Sequence, residues 1–177
     1  MQIKTKRLTL REWLPQDSKP FAAMNSDPQV MEFFPKILTQ TESDNLIEKI
    51  KANFTNHGFG LMAAELSDTK QFIGFIGLHV PSLATDFTPC VEIGWRIAKE
   101  YWGQGLATEG AKAVLNYAFQ ELKLEKVVSF TTKNNAKSIN VMKKLGLKYE
   151  RDFLHPSLPT NHALAWHVLY STVNKQQ

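Results

Sequence analysis

The chain has 177 residues, 43% hydrophobic and 21% charged, with eleven Phe and four Trp, so it can bury one substantial core without metal ions and is not a disordered chain. Its formal net charge of +4 is modest and scattered, which argues against general nucleic-acid binding and suits a small phosphate-bearing ligand. Cys90 is the only cysteine, no apolar stretch is long enough to cross a bilayer, and the polar start lacks a signal-peptide core, so a cytoplasmic protein without disulfides is expected.

Leu8 and Leu10 alternate with polar residues over 7–13, the period-two pattern of a half-buried strand ending before Pro15. Asp17 or Ser18 is placed to cap a short helix. After the Asp27-Pro28 turn, Leu46, Ile47, Ile50 and Phe54 recur at helical spacing and predict a helix over 39–56, with Thr39 or Thr41 as its cap. Two apolar runs over 58–66 and 71–80, joined by Ser67-Asp68-Thr69-Lys70, read as antiparallel strands. Residues 81–89 are loop-like, and 90–97 form a strand carrying Glu92, Gly94 and Trp95. Over 106–122 the set Leu106, Gly110, Ala111, Val114, Leu115 and Ala118 makes the strongest helical stripe in the chain. A β-branched strand over 127–132, a helix over 136–145 stopped by Gly146, and strands over 147–153 and 163–172 complete the order. No repeat or linker interrupts it, so one mixed α and β domain over 1–177, with a core of about 7–172, is expected.

Gly103 and Gly105 lie between the strand ending near Ile97 and the strong helix starting near Leu106. In such a turn, main-chain N–H groups and a helix N-terminus can receive a phosphate, and small residues such as Ala107 leave room for it. No Lys-Ser or Lys-Thr follows the glycines, and the third glycine of the dinucleotide fingerprint is missing, so nucleoside triphosphates and NAD are weak candidates. Alone, the turn is equally a tight strand-to-helix connection.

Several blocks together give it meaning. Thr5-Lys6-Arg7-Leu8-Thr9-Leu10-Arg11, Phe72-Ile73-Gly74-Phe75-Ile76-Gly77-Leu78, Val91-Glu92-Ile93-Gly94-Trp95, Tyr101-Trp102-Gly103-Gln104-Gly105-Leu106-Ala107-Thr108-Glu109, Asn134-Asn135-Ala136-Lys137-Ser138 and Met142-Lys143-Lys144-Leu145-Gly146-Leu147 stand in one order. In them the sequence resembles the GNAT acetyltransferase superfamily over nearly its whole length, nearest the branch that includes ribosomal-protein alanine N-acetyltransferases. The resemblance implies an α+β fold: a mixed, mostly antiparallel twisted sheet flanked by helices, splayed between the strands of Glu92 and Val127, with acetyl-CoA as co-substrate in the gap. It implies that backbone groups of Trp95, Arg96 and Ile97 pair with pantetheine amides, and that Gln104, Gly105, Ala107 and Thr108, within the gripping segment Trp102, Gly103, Gln104, Gly105, Leu106, Ala107, present N–H groups to the pyrophosphate. Asn135 would meet the cofactor from the other side. Trp102 stands where much of the superfamily has Arg or Gln, so backbone rather than side-chain charge is expected to dominate phosphate binding.

Acetyl transfer to an amine needs a proton acceptor and tolerates a proton donor to the departing thiolate. Glu92 is the candidate base, against the plain alternative of a strand carboxylate paired with a cation. Many superfamily members have Tyr where Met142 stands, and Met cannot donate a proton. Ser138, which matches the serine of the ribosomal-protein branch, is the candidate donor, a helix-capping serine being the alternative. His155, His162 and His167 do not make a metal site by spacing, and Phe33, Phe34, Phe59 and Trp166 are candidate walls of an acceptor pocket. The expected acceptor is a primary amine, a protein N-terminal α-amine or otherwise a small amine or antibiotic, and the protein a monomer or homodimer. A non-catalytic acyl-CoA-binding module and an RNA-binding accessory are the competing classes.

Overall fold

The β-branched and aromatic runs form eight strands and the amphipathic stripes four helices in a computed structural model that describes residues 1–174. In chain order they are β1 (Gln2–Lys4), β2 (Leu8–Arg11), α1 (Ser18–Asn25), α2 (Gln40–His57), β3 (Leu61–Leu66), β4 (Phe72–His79), β5 (Glu92–Ile97), α3 (Leu106–Gln120), β6 (Lys126–Thr132), α4 (Ala136–Lys144), β7 (Lys148–Leu154) and β8 (Trp166–Val173). All eight strands join one sheet in the order β1-β2-β3-β4-β5-β6-β8-β7. Only β5 and β6 run parallel; every other neighbouring pair is antiparallel. The expected α+β, mostly antiparallel architecture is present.

Differences from the sequence expectation fall at element ends. β1 has only three residues, with one half-buried apolar side chain, Ile3, too short for periodicity to reveal. Asp17 precedes α1 without capping it; its carboxylate is taken by Arg11 and by the Leu14 N–H at 2.8 Å. Thr39 does cap α2, in a reciprocal arrangement with Glu42.

Apolar side chains cover both faces of the sheet. Ile76, Ile93 and Ile97 pack with Leu106, Ala111, Val114 and Ala118 of α3 on one face. Ala63 and Phe75 pack with Phe21 and Met24 of α1 and Ile47 and Ile50 of α2 on the other. Because opposed residues of an antiparallel pair point to the same side, the register Phe75↔Arg96, Gly77↔Gly94 and His79↔Glu92 puts Glu92, Gly94 and Arg96 on the α1 and α2 face.

A charged knot ties α1 to the sheet. Arg11 holds Glu65 at 2.6 Å and Asp17 at 2.7 Å, and both carboxylates are buried, at 8% and 1% exposure. Removing the cation strands two buried anions, a change that costs about 3–5 kcal/mol in comparable sites. Arg11→Ala is therefore expected to lower the urea-unfolding free energy by about that amount, and a triple variant that also replaces Asp17 and Glu65 by apolar residues is expected to regain much of it. A loss below about 1 kcal/mol for the single variant would mean that water, not Arg11, satisfies the two acids.

Candidate active site

β5 and β6 meet at a single register point, Glu92↔Val128, reinforced by the Val128 N–H donating to the Val91 carbonyl at 2.9 Å. Beyond it each strand keeps its outer partner, β5 holding β4 and β6 holding β8. The sheet is thus open between them. A cavity of about 890 Å³ passes through the opening, walled on one side by the start of α3 and by α4, and on the other by residues from the 29–35 loop, α2 and the 155–164 segment.

Ala98 donates to the Ile73 carbonyl at 2.9 Å. By the alternation of antiparallel bonding, the bonded pairs of the β4–β5 register are then Arg96 with Phe75 and Gly94 with Gly77, and the main-chain groups of Trp95 and Ile97 turn toward the gap. This divides the three residues expected to pair with pantetheine. Trp95 and Ile97 offer a free strand edge, though the Ile97 carbonyl already accepts the Trp102 indole N–H at 2.7 Å. Arg96 corrects the expectation, because its main chain belongs to β4 and only its side chain reaches the cavity.

Gly105 is the N-cap of α3 with φ of 77°, and no side chain caps that helix. Gly103 has φ of 74°. These left-handed conformations favour glycine. The first helical bond inward is Glu109 N–H to the Gly105 carbonyl, so the N–H groups of Leu106, Ala107 and Thr108 precede the intrahelical ladder. Gly103, Gly105, Leu106, Ala107 and Thr108 all line the cavity, and a helix start with unbonded donors and no capping side chain fits a diphosphate. Gln104 differs: it is outside the lining, its carbonyl accepting from Arg7 at 2.9 Å and its carboxamide donating to the Glu100 carbonyl at 3.2 Å. It braces the loop. Glu109 completes the brace, taking the Arg7 guanidinium at 2.7 Å, the Arg7 N–H at 2.8 Å and the Thr5 hydroxyl at 2.6 Å. Burial acts to raise its carboxyl, and the Thr5 and Arg7 hydrogen bonds outweigh that and hold it below the usual carboxylate range. Trp102 lies on the rim, with the Lys137 ammonium 3.8 Å from its ring centroid, a cation at the mouth that the sequence pattern does not reveal.

Glu92 sits where the two strands part, 8% exposed, with Oε2 2.8 Å from Nε2 of His79. Burial raises its carboxyl above the usual range, opposed by His79 and by the Phe130 main-chain N–H. Such a carboxylate is a better proton acceptor than a solvated one. His79 carries no motif; it stands across from Glu92 only because of the β4–β5 register.

On the opposite wall the Asn135 carboxamide accepts the Ser138 N–H at 3.2 Å and donates to the Thr131 hydroxyl at 3.0 Å. It caps α4 and so fixes Ser138 and Met142, which line the cavity. Phe33 and Phe34 also line it, whereas Phe59 is buried in the core and Trp166 is exposed outside the lining. Phe130, with His155 and His167, supplies the further wall. The two imidazoles lie 4.8 Å apart; burial lowers both, His167 to about 4, so they are neutral at physiological pH. Among the described residues no group of His, Cys, Asp or Glu is arranged to hold a metal, and no helix is long and apolar enough to cross a membrane. Cys90 is raised to about 11, chiefly by burial, and stays a thiol rather than a nucleophile.

The family model of the acetyltransferase (GNAT) domain matches residues 7–148. The uncharacterized N-acetyltransferase YnaD of Bacillus subtilis (strain 168) is 30% identical over 156 residues, covering 86% of this chain and 86% of its own. The GNAT-family acetyltransferase from Bacillus anthracis has a crystal structure similar at a TM-score of 0.83, with 25% identity over 99% of this chain and 100% of that one. Spermidine N-acetyltransferase from Vibrio cholerae, solved in complex with CoA and spermine, shares the fold at a TM-score of 0.75 and 20% identity, over 96% of this chain and 97% of that one.

Gly105→Val puts a β-branched residue into a left-handed conformation at a cost of about 1–2 kcal/mol and turns the first N–H groups of α3 aside. Calorimetric titration with coenzyme A is expected to show affinity reduced about tenfold or more, in protein whose circular dichroism is unchanged. Wild-type affinity would mean that the phosphates do not bind at this loop.

Proposed function

Because the chain belongs to the GNAT acetyltransferase family, we propose that it moves an acetyl group from acetyl-CoA directly to a primary amine, with Glu92 as the base. The observation that carries this is a buried carboxylate, paired with a histidine, at the point where β5 and β6 separate and the cavity crosses the sheet. When bound, acetyl-CoA supplies an acetyl thioester already activated for attack.

The chain's own groups divide the remaining work. The N–H groups of Leu106, Ala107 and Thr108, at the positive end of α3, hold the phosphates. The exposed edge of Trp95 and Ile97 orients an amide-bearing arm as an added strand would. Glu92 takes the proton from the acceptor's ammonium before attack, or from the amine nitrogen as the new bond forms, and its raised carboxyl lies closer to the basicity of an amine than a solvated carboxylate would. His79, with 29% of its side chain exposed, connects that carboxyl to solvent and can relay the proton outward. Ser138 donates a hydrogen bond to the departing sulfur, for which a full proton is not required near neutral pH. The acceptor, a protein N-terminus or a small amine, enters from the α1 and α2 face, where residues of the 29–35 and 155–164 segments line the cavity. A lone, protonated cysteine and the absence of disulfides suit the same proposal placed in the cytoplasm.

Glu92→Gln is expected to lower kcat by roughly 10²–10⁴-fold with coenzyme A affinity retained, as read from thiol release and calorimetry. Unchanged kcat would transfer the base to solvent, and coenzyme A binding with no acceptor-dependent turnover across a broad amine panel would make the chain a binding module. The pH profile gives a second test. Glu92 works only when ionised, so kcat/KM falls as pH drops through its raised value; His79 acts to lower that value, and His79→Gln should move the acid limb to higher pH. An unmoved limb would assign it to another group.

A further inference from the structure

Four arginines occur in the chain, at positions 7, 11, 96 and 151. Arg7 is paired with Glu109, Arg11 with Asp17 and Glu65, and Arg151 with Asp86. Arg96 has no carboxylate within ion-pair distance among the described residues. Its Nη1 donates to the neutral Asn25 carboxamide at 2.6 Å, its guanidinium lies 4.1 Å from the Phe34 ring centroid and 5.4 Å from that of Phe75, and its Nε is buried without a partner. Burial lowers its basicity to about 10, the signature of a charge that the protein itself does not compensate. For a half-buried ion left without a partner the desolvation is costly, and the cost is relieved when a counter-ion arrives.

Position decides what that counter-ion belongs to. Arg96 shares a face of β5 with Glu92 and Gly94, and all three line the cavity. Between the acid and the cation the floor is open, since a Cβ placed on Gly94 would meet only a Leu61 methyl at 3.8 Å. Their Cα atoms stand about 13 Å apart along the strand. Lys49 of α2, exposed, adds another positive charge to the lining on this face. Neither lining acid pairs with Arg96: Glu92 is held by His79, and Glu32, on the 29–35 loop, is as exposed as Lys49.

Given the acetyl transfer proposed above, we infer that the acceptor is an amine bearing a carboxylate several bonds away, with Arg96 receiving the carboxylate while the amine meets Glu92. One guanidinium held only by a neutral amide matches a single negative charge, and it opposes a polycation such as spermidine. Arg96 is here a specificity residue, separate from the proton transfer.

The test uses the full chain and acceptors matched except for charge: 6-aminohexanoate against its carboxamide, an alanyl-glutamyl against an alanyl-glutaminyl peptide amide, and spermidine. Wild-type kcat/KM is expected to favour each carboxylate over its neutral partner by roughly tenfold or more, and Arg96→Gln to erase that ratio, with Arg96→Lys keeping part of it. The two pairs tell a small amino acid from an acidic peptide as the source of the carboxylate. Calorimetry with N-acetyl-6-aminohexanoate and its carboxamide, in the presence of coenzyme A, reads the same subsite without turnover. Preference for spermidine, or a ratio unaltered in Arg96→Gln, overturns the inference. Should no acceptor turn over, the transfer proposal falls, while Arg96-dependent binding of the acetylated acid still upholds the carboxylate subsite and its absence overturns it.

Discussion

One parallel contact between β5 and β6 governs this protein. Antiparallel partners on both outer sides hold the two strands firmly, but between them only Glu92 and Val128 are in register. Main-chain groups along a sheet normally satisfy each other; here the inner edge of β5 is left for something else to satisfy. The gap turns a sheet into a passage, so that a ligand arriving at the start of α3 can be reached by an acceptor entering from the α1 and α2 face. Glu92, at the apex, is buried because the strands close there and reachable because they part immediately beyond.

The passage stays open because its rim is braced from distant parts of the chain. Glu109, on the first turn of α3, gathers donors from Thr5 and Arg7, and Arg7 also holds the Gln104 carbonyl. The glycine turn is thereby fixed by its flanks, and its own N–H groups need no capping side chain. Trp102 ties the loop back to the Ile97 carbonyl and carries Lys137 on its face. Among the helix starts, α2 and α4 are capped by Thr39 and Asn135, whereas α1 and α3 are not capped by any side chain, and of these two it is α3 whose first residues line the cavity.

Charge is distributed with the same economy. Arg11, Arg7 and Arg151 are neutralised by acids of the chain, and His155 and His167 are kept neutral by burial. Two charged groups of β5 are turned to the cavity on the acceptor face, the Glu92 carboxylate with its histidine and the Arg96 guanidinium with only an amide. One suits proton transfer and the other recognition of an anion, and the open floor at Gly94 separates them.

Local chemistry was legible from the residues themselves. The strand alternation at Leu8 and Leu10, the helical stripe from Leu106 to Ala118, the Thr39 cap and the glycine turn each depend on neighbours within a few positions, so periodicity and capping rules reach them. The family was legible from the resemblance carried by several such blocks in one order, and the candidate base Glu92 was singled out by its place on a strand. What lay beyond the sequence depends on register and on crossings between segments far apart. His79 meets Glu92, Arg96 turns its main chain to β4 and its side chain to the cavity, Gln104 becomes a brace, and Asn135 spends its carboxamide on a cap, all because two-residue alternation fixes a face only once a partner strand is known. The long connection between β4 and β5 leaves that register free in the sequence. Residue type decides which chemistry a side chain can perform, and only the tertiary fold decides which partner is left within reach to perform it on.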